Sequence, residues 1–255
     1  MPANPTPAPP GFKKLDLHIH TPFSACYVDH IKPEAQRKTQ PEAIVQAALD
    51  AGLDGIAIVD HNGVELVQRI QELARDTSLT VLPGAELSPR GGHLLAIFEE
   101  GYDLDRIRGL LLATGFPQEL WGDGYKRSDV WMDKAIEEIV SRGGLAIPAH
   151  VDREPRGFLA SDELPSDKLR IYNHPGLAAL EITDPTRKER WNQGRDLRYK
   201  QPRACIQSSD AHAPEEIGRR PTFMKMEAVA LAGIRAAIAD YANAIVFPPA
   251  ASAAA

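Results

Sequence analysis

Six of the chain's eight histidines, and three of its acids, stand at the ends of short apolar runs scattered along the sequence. The positions are His18, His20, Asp60, His61, Glu86, His93, His150, Asp210 and His212. Runs such as Ile56–Val59, His93–Phe98 and Leu145–Ala149 read as β-strands, and Leu15–His20 alternates apolar and polar with a strand's period of two. Residues so far apart share that placement if their strands converge on one edge. Between the runs lie helical patterns: Pro41–Asp50 with Gly52 just past its end, Val64–Arg75, Asp103–Thr114, Asp129–Arg142 and Leu231–Tyr241. Alternating strands and helices predict a mainly parallel α/β sheet, and 255 residues are enough to close it into a barrel around one core.

A net charge of −6 argues against a general polyanion-binding surface while leaving room for a local basic pocket. Cys26 and Cys205 are far apart and in no CxxC spacing, as expected of a reducing compartment. No apolar run approaches the roughly 18 residues of a membrane span, and MPANPTPAPPG lacks the regions of a signal peptide, so the expectation is a cytoplasmic protein with no membrane partner. Residues 1–12 read as a disordered Pro-rich lead-in, 13–247 as a single domain and 248–255 as a flexible tail. Pro/Gly-rich stretches at 115–127 and 151–176 read as loop-like insertions beside candidate site residues, where specificity would reside.

His18 and His20 are two apart, so on a regular strand both imidazoles, and Asp16 with them, point to one face. Asp210 and His212 repeat that spacing. Each residue alone has a bland reading: a polar strand end, a solvated loop acid for Glu86, a structural histidine for His93 or His150. Together they suit a cluster of divalent cations, because imidazole and carboxylate are the donors such ions take. His30 and His174 fall in loops and read as solvated.

The segments Asp16-Leu17-His18-Ile19-His20-Thr21, Val59-Asp60-His61-Asn62, Gly84-Ala85-Glu86-Leu87-Ser88, Gly92-His93-Leu94-Leu95, Pro148-Ala149-His150 and Ser209-Asp210-Ala211-His212 resemble, in order, those of the PHP (polymerase and histidinol phosphatase) domain. The stretch from Ser209 to Arg220, with Phe223–Met226 after it, looks most like the subgroup often fused to a C-terminal ATPase, although no GxxxxGK[ST] loop occurs in this sequence. The resemblance implies an α/β fold, a distorted (β/α)7 barrel with two or three divalent metals (Zn, Mn or Fe) at its strand ends. By position, His18, His20, Glu86 and Asp210 would hold the first metal. Glu86 would bridge to a second, bound by His93 and His150, and His61 and His212 would hold a third. Relatives often place an acid or histidine for that third metal where Ala25 stands here, leaving Asp29, His30, Cys26 or Asp60 as substitutes.

Clustered dications suit phosphoester hydrolysis, in which a metal-bound hydroxide attacks phosphorus. Glu86, Asp210, His212 and Arg153 are the residues expected to act on the reaction. Arg153 and Arg156, then Arg219 and Arg220, are the candidates for phosphate contacts, and Trp121, Tyr125 and Trp131 for stacking on a base. Seven basic residues lie between Thr186 and Arg203, mixed with Glu189 and Asp196, and read as a solvated helix face unless several line a groove. The expected substrate is a phosphorylated small molecule or a nucleotide or oligonucleotide end. The alternatives are a DNA or RNA nuclease using the same metals, or a non-catalytic metal-bound module that regulates a partner ATPase.

Overall fold

The organising strand is β1 (Phe12–Ile19) in the computed structural model, which describes residues 6–28, 40–155 and 157–249. After it come β2 (Gly55–Ile58), β3 (Thr80–Leu87), β4 (Leu94–Ile97), β5 (Leu145–Pro148), β6 (Leu180–Glu181), β7 (Cys205–Ile206), β8 (Thr222–Lys225) and β9 (Ile245–Val246). One sheet has the order β5-β4-β3-β2-β1-β8-β9, and β6 and β7 form a two-stranded piece. Single hydrogen bonds stitch the two into a ring. Ala178 N donates to Ala146 O at 2.9 Å and Val151 N to Glu181 O at 2.8 Å, joining β5 to β6. On the other side His20 N donates to Ala211 O at 2.9 Å, joining the chain after β7 to β1. Strands β1 to β7 therefore curl into the distorted seven-stranded α/β barrel that the sequence led us to expect.

The sheet is less parallel than the alternating pattern suggested. β4 runs antiparallel to both β3 and β5. Only residues 88–93 connect β3 to β4, too few for the crossover a parallel pair needs, and Gly91 and Gly92 take φ values of 110° and 120° to make the turn. β8 and β9, which periodicity did not reveal, pair antiparallel beside the lower half of β1. The stretch 151–176 is also not all loop, since it contains a helix at Pro165–Tyr172.

The barrel wall separates two apolar layers. Ile19, Ile56, Ile58, Val81 and Ala85 pack outward against the helices. Leu15, Leu17, Ala57, Leu82, Ile97 and Ile147 fill the interior, with Ile234 of the Leu231–Ala239 helix in the same cluster. Register shows how β1 changes face. Asp16 pairs with Ile56 and Ile19 with Ile58, so Leu17 and His18 together oppose Ala57 in a β-bulge. The extra residue turns His18 and His20 inward. It also puts Asp16 on the opposite face from His18, contrary to the simple period-two expectation.

Candidate metal centre

Every strand of the ring sends a polar side chain to one end of the interior. β1 supplies His18 and His20, the turn after β2 His61, and β3 Glu86 from within the strand. β4 runs the other way and so contributes from its start, at His93. His150 follows β5, Glu181 ends β6, and Asp210 follows β7. Alternation along β5 would turn His150 outward, but a φ of 32° reverses it, and Asp210 (φ 51°) and Asn62 (φ 48°) are bent similarly. These are the positive-φ residues other than glycine among the described residues, and all three flank the centre. Such backbone is costly for a side-chain-bearing residue and is held by its surroundings. At His150 the amide donates to Glu181 Oε2 at 2.8 Å.

The donor atoms crowd as ligands of shared ions do. His18 Nε2 lies 3.1 Å from His20 Nε2, 3.4 Å from Glu86 Oε2 and 3.2 Å from Asp210 Oδ1. His20 Nε2 is 3.3 Å from each of the same two oxygens. A tetrahedral ion with bonds of about 2.0–2.1 Å has donors about 3.3–3.4 Å apart. Glu86 is the hub. Its Oε1 faces His93 Nδ1 at 2.9 Å and His150 Nε2 at 3.1 Å, and its Oε2 faces His61 Nδ1 at 2.8 Å. Glu86 Oε2 and His61 Nδ1 are buried and face each other at 2.8 Å without hydrogen-bond geometry, an arrangement that leaves their lone pairs for a cation. His18, His20 and Glu86, then His61, Glu86 and His93, then His20, His61 and His212 form groups with donor atoms within 4.8 Å of one another. The donor chemistry fits divalent metals.

Electrostatics agree. Burial would raise the carboxyl of Glu86, but the imidazoles of His93, His18 and His61 hold it well below the usual range. Asp210 is likewise held low against burial by His18 and His20. Burial would lower His20, but hydrogen bonds to Asp210 and Glu86 lift it to about 9. His61 and His212 stay neutral, at about 4, through burial, only partly opposed by Glu86 at His61 and reinforced by His20 at His212.

Asp60, read from sequence with the metal ligands, is used differently. Its Oδ1 accepts from Thr21 N at 2.7 Å and Ser24 Oγ at 2.7 Å, and its Oδ2 from Thr21 Oγ1 at 2.6 Å. It ties the turn after β1 to the end of β2. Asp16 does similar work, accepting from Ser209 N at 2.9 Å and Gly218 N at 2.8 Å and so anchoring the segment that carries Asp210. Glu181 was not singled out from sequence. Fully buried, it accepts from His18 Nδ1 at 3.0 Å, fixing the tautomer that turns the Nε2 lone pair inward. Its only sequence signal is an acid inside the apolar run Ala178–Ile182.

At the mouth Arg153 reaches Asp210 Oδ2 at 2.5 Å and is about one-third exposed (35%). A cleft of about 450 Å³ opens beside His93, lined by Gly124, Tyr125, Arg127, Ser161 and Asp162. Tyr125 is the candidate aromatic in this lining. Trp121 donates to Phe116 O, and Trp131 lies under the Arg90 and Arg170 guanidiniums. Arg219 and Arg220 donate to the carbonyls of Ser209 and Thr183. In the basic stretch Arg187 pairs with Asp184 and Arg190 with Asp196, and Lys188 donates to Ile245 O beside β8. His174 accepts from Gly176 N away from the centre. Arg156, Asp29 and His30 lie outside the described residues.

No family model matches the chain. An error-prone DNA polymerase of Symbiobacterium thermophilum is 37% identical over 97 residues, covering 36% of this chain and 8% of the polymerase. Among solved structures, endonuclease Q in complex with a 27-mer duplex carrying an abasic lesion matches with a TM-score of 0.64 at 17% identity, covering 90% of this chain and 57% of the endonuclease. A candidate metal-dependent phosphoesterase from Bifidobacterium adolescentis matches with a TM-score of 0.54 at 18% identity, covering 82% and 90%. The chain thus spans little more than half of the endonuclease and under a tenth of the polymerase. The structural likenesses show a mixed α/β, barrel-like fold. No helix among the described residues is long and apolar enough to cross a membrane.

Proposed function

We propose that this domain is a metal-dependent phosphoesterase acting on phosphomonoesters or on nucleotide and oligonucleotide ends. The observation that carries the reading is the convergence of six imidazoles on the buried Glu86 and Asp210 carboxylates, with donor spacings that suit shared ions. His18, His20, Glu86 and Asp210 would hold one cation, and His93 and His150 with Glu86 a second. Zinc, manganese and iron all suit such donors. Bound cations would supply a nucleophile from water near neutral pH and neutralise charge on the phosphate.

The chain's own residues do the rest. Glu181 and the Asp210 carbonyl, which lies 2.9 Å from His212 Nδ1, orient His18 and His212. Arg153, poised on Asp210 at the mouth, presents its guanidinium to phosphate oxygens. The cleft beside His93 takes the organic part of the ester.

A second reading, a nuclease, is favoured by the match of 90% of this chain to an endonuclease bound to duplex DNA. A third, drawn from the sequence's resemblance to a subgroup often fused to an ATPase, makes the domain a metal-bound regulator of a partner ATPase in the cytoplasm. Purified protein with Mn²⁺ or Zn²⁺ should hydrolyse p-nitrophenyl phosphate or a nucleotide and stop with EDTA. Shortening of an oligonucleotide while small esters persist would select the nuclease, and bound metal with no turnover of either would select the regulator. His20→Ala and Asp210→Ala should lose metal and activity together. Retained activity in both would refute the assignment.

A further inference from the structure

Three segments build the cleft beside His93: the turn 88–93 after β3, the loop residues 124–127 and the loop residues 157–162. Backbone hydrogen bonds fix the first two to each other. Ser128 N donates to Ser88 O at 3.1 Å, Arg90 N to Val130 O at 2.9 Å and Met132 N to Arg90 O at 3.0 Å. The third wall hangs from the chain after β5, with Gly157 N donating to Arg153 O at 2.8 Å and Leu159 N to Val151 O at 2.9 Å. Glu163 joins this wall to the other two.

The Glu163 side chain is only 6% exposed beside this open cleft, and both its oxygens face arginines. Oε2 lies 3.2 Å from Arg90 Nη2, and Oε1 lies 3.4 Å from Arg90 Nε and 3.5 Å from Arg127 Nη1. Arg90 is itself held by Trp131, whose ring centre lies 4.1 Å from the guanidinium carbon. One carboxylate, nearly out of water, thus grips the turn 88–93 through Arg90 and the opposite wall through Arg127. Taking one member from such a group leaves a charge without its partner, so the tie resists opening. The charges bear on the occupant too. Arg127 is the guanidinium of the lining, Glu163 neutralises it, and the exposed Asp162 stands in the same lining. A nucleic-acid strand is tracked by a groove of net positive charge, which these residues do not make. At about 450 Å³ the cleft falls low in the range of about 300–1,000 Å³ that small-molecule pockets occupy.

We infer that Glu163 is a positioning residue that sets the length of the substrate. By tying the walls at one width it confines the organic part of the ester to a single nucleoside-sized unit, and the chain discriminates against a second one. The inference rests on the phosphoesterase reading above and deepens it. A second nucleotide would bring its phosphate to a lining where Glu163 has cancelled Arg127 and Asp162 repels the newcomer.

The test is phosphate release by the full chain with Mn²⁺ from a mononucleotide, a dinucleotide and an oligonucleotide, each carrying one terminal phosphate. Discrimination by fit to a pocket is worth about 10–200-fold, so kcat/KM should fall by about tenfold or more at the second nucleotide, through KM. Glu163→Ala should lower KM for the dinucleotide and bring its kcat/KM to within about threefold of the mononucleotide's, with wild-type metal content by elemental analysis. Glu163→Gln keeps the shape and one acceptor oxygen, and it should relax the ratio part-way. It carries the test if the alanine variant does not fold. Equal kcat/KM for the two substrates in the wild type would overturn the inference and leave the metal-dependent phosphoesterase intact. So would a ratio unchanged in both variants with full metal content. A chain that releases phosphate from none of these substrates, nor from p-nitrophenyl phosphate, would overturn both.

Discussion

Replacing Glu181 by glutamine tests how the centre is held. The carboxylate accepts from His18 Nδ1 at 3.0 and 3.2 Å and from the His150 amide at 2.8 Å, entirely out of water. With a proton on Nδ1, His18 has only its Nε2 lone pair to offer, and it offers it toward His20, Glu86 and Asp210. Glutamine keeps the shape and one acceptor oxygen, but it loses the charge, and its NH₂ cannot accept from Nδ1–H. Losing such an outer partner weakens metal affinity about 10–100-fold, or about 1.4–2.7 kcal/mol.

Part of this loss is hidden near neutral pH, because Glu181 also stabilises a proton on His18 that the metal must displace. Burial works against that proton, yet Glu181, Asp210 and Glu86 overcome it and hold His18 well above its ordinary value. His20 behaves alike, lifted to about 9. We therefore expect Glu181→Gln to bind zinc more weakly by the full factor at alkaline pH, where His18 has lost its extra proton, and by a smaller factor at pH 7. Competition against a chromophoric chelator at the two pH values reads this directly. Affinity within twofold of wild type at the higher pH would refute the claim that Glu181 sets the His18 tautomer.

Four further outcomes follow from the same geometry. Because the metal-free histidines His18 and His20 hold protons at pH 7, zinc binding should release them, giving a calorimetric heat that varies with buffer ionisation enthalpy. In EDTA the stabilisation from His20 should be complete below its ordinary 6.5 and lost as pH rises through about 9; a flat denaturation midpoint over that window would contradict it. Gly124→Ala would drive a Cβ into the His61 ring, and overpacking of this kind costs about 1–3 kcal/mol. Its unfolding midpoint should fall and His61 should shift, seen as reduced metal content, with wild-type content counting against the contact. Arg153→Gln should keep its metals by elemental analysis yet lose kcat/KM on phosphoesters by at least tenfold, and unchanged kcat/KM would remove Arg153 from the substrate.

The histidines were legible because a parallel strand delivers the residue at its end to the same edge of the barrel as its neighbours do. Position in the sequence thereby becomes position in space, and the antiparallel β4 obeys the rule in reverse by delivering His93 from its start. The face of a strand was less legible. The bulge at Leu17 and His18 exists only in the register with Ala57, so no periodicity within residues 12–19 could have shown that Asp16 and His18 part company.

Least legible of all was which lone pairs stay uncommitted. Asp60 and His61 are adjacent, polar and at the end of the same apolar strand. Asp60 is consumed by donors from Thr21 and Ser24, 39 and 36 residues earlier, while His61 turns its buried Nδ1 to Glu86 Oε2 within the donor cluster. Glu181 differs again, since its acceptors are taken by His18, 163 residues away, and it shapes the centre through that ring. A strand end can show that a polar group reaches the centre. Only the donors brought to it by the rest of the fold decide whether it binds a cation or holds the residue that does.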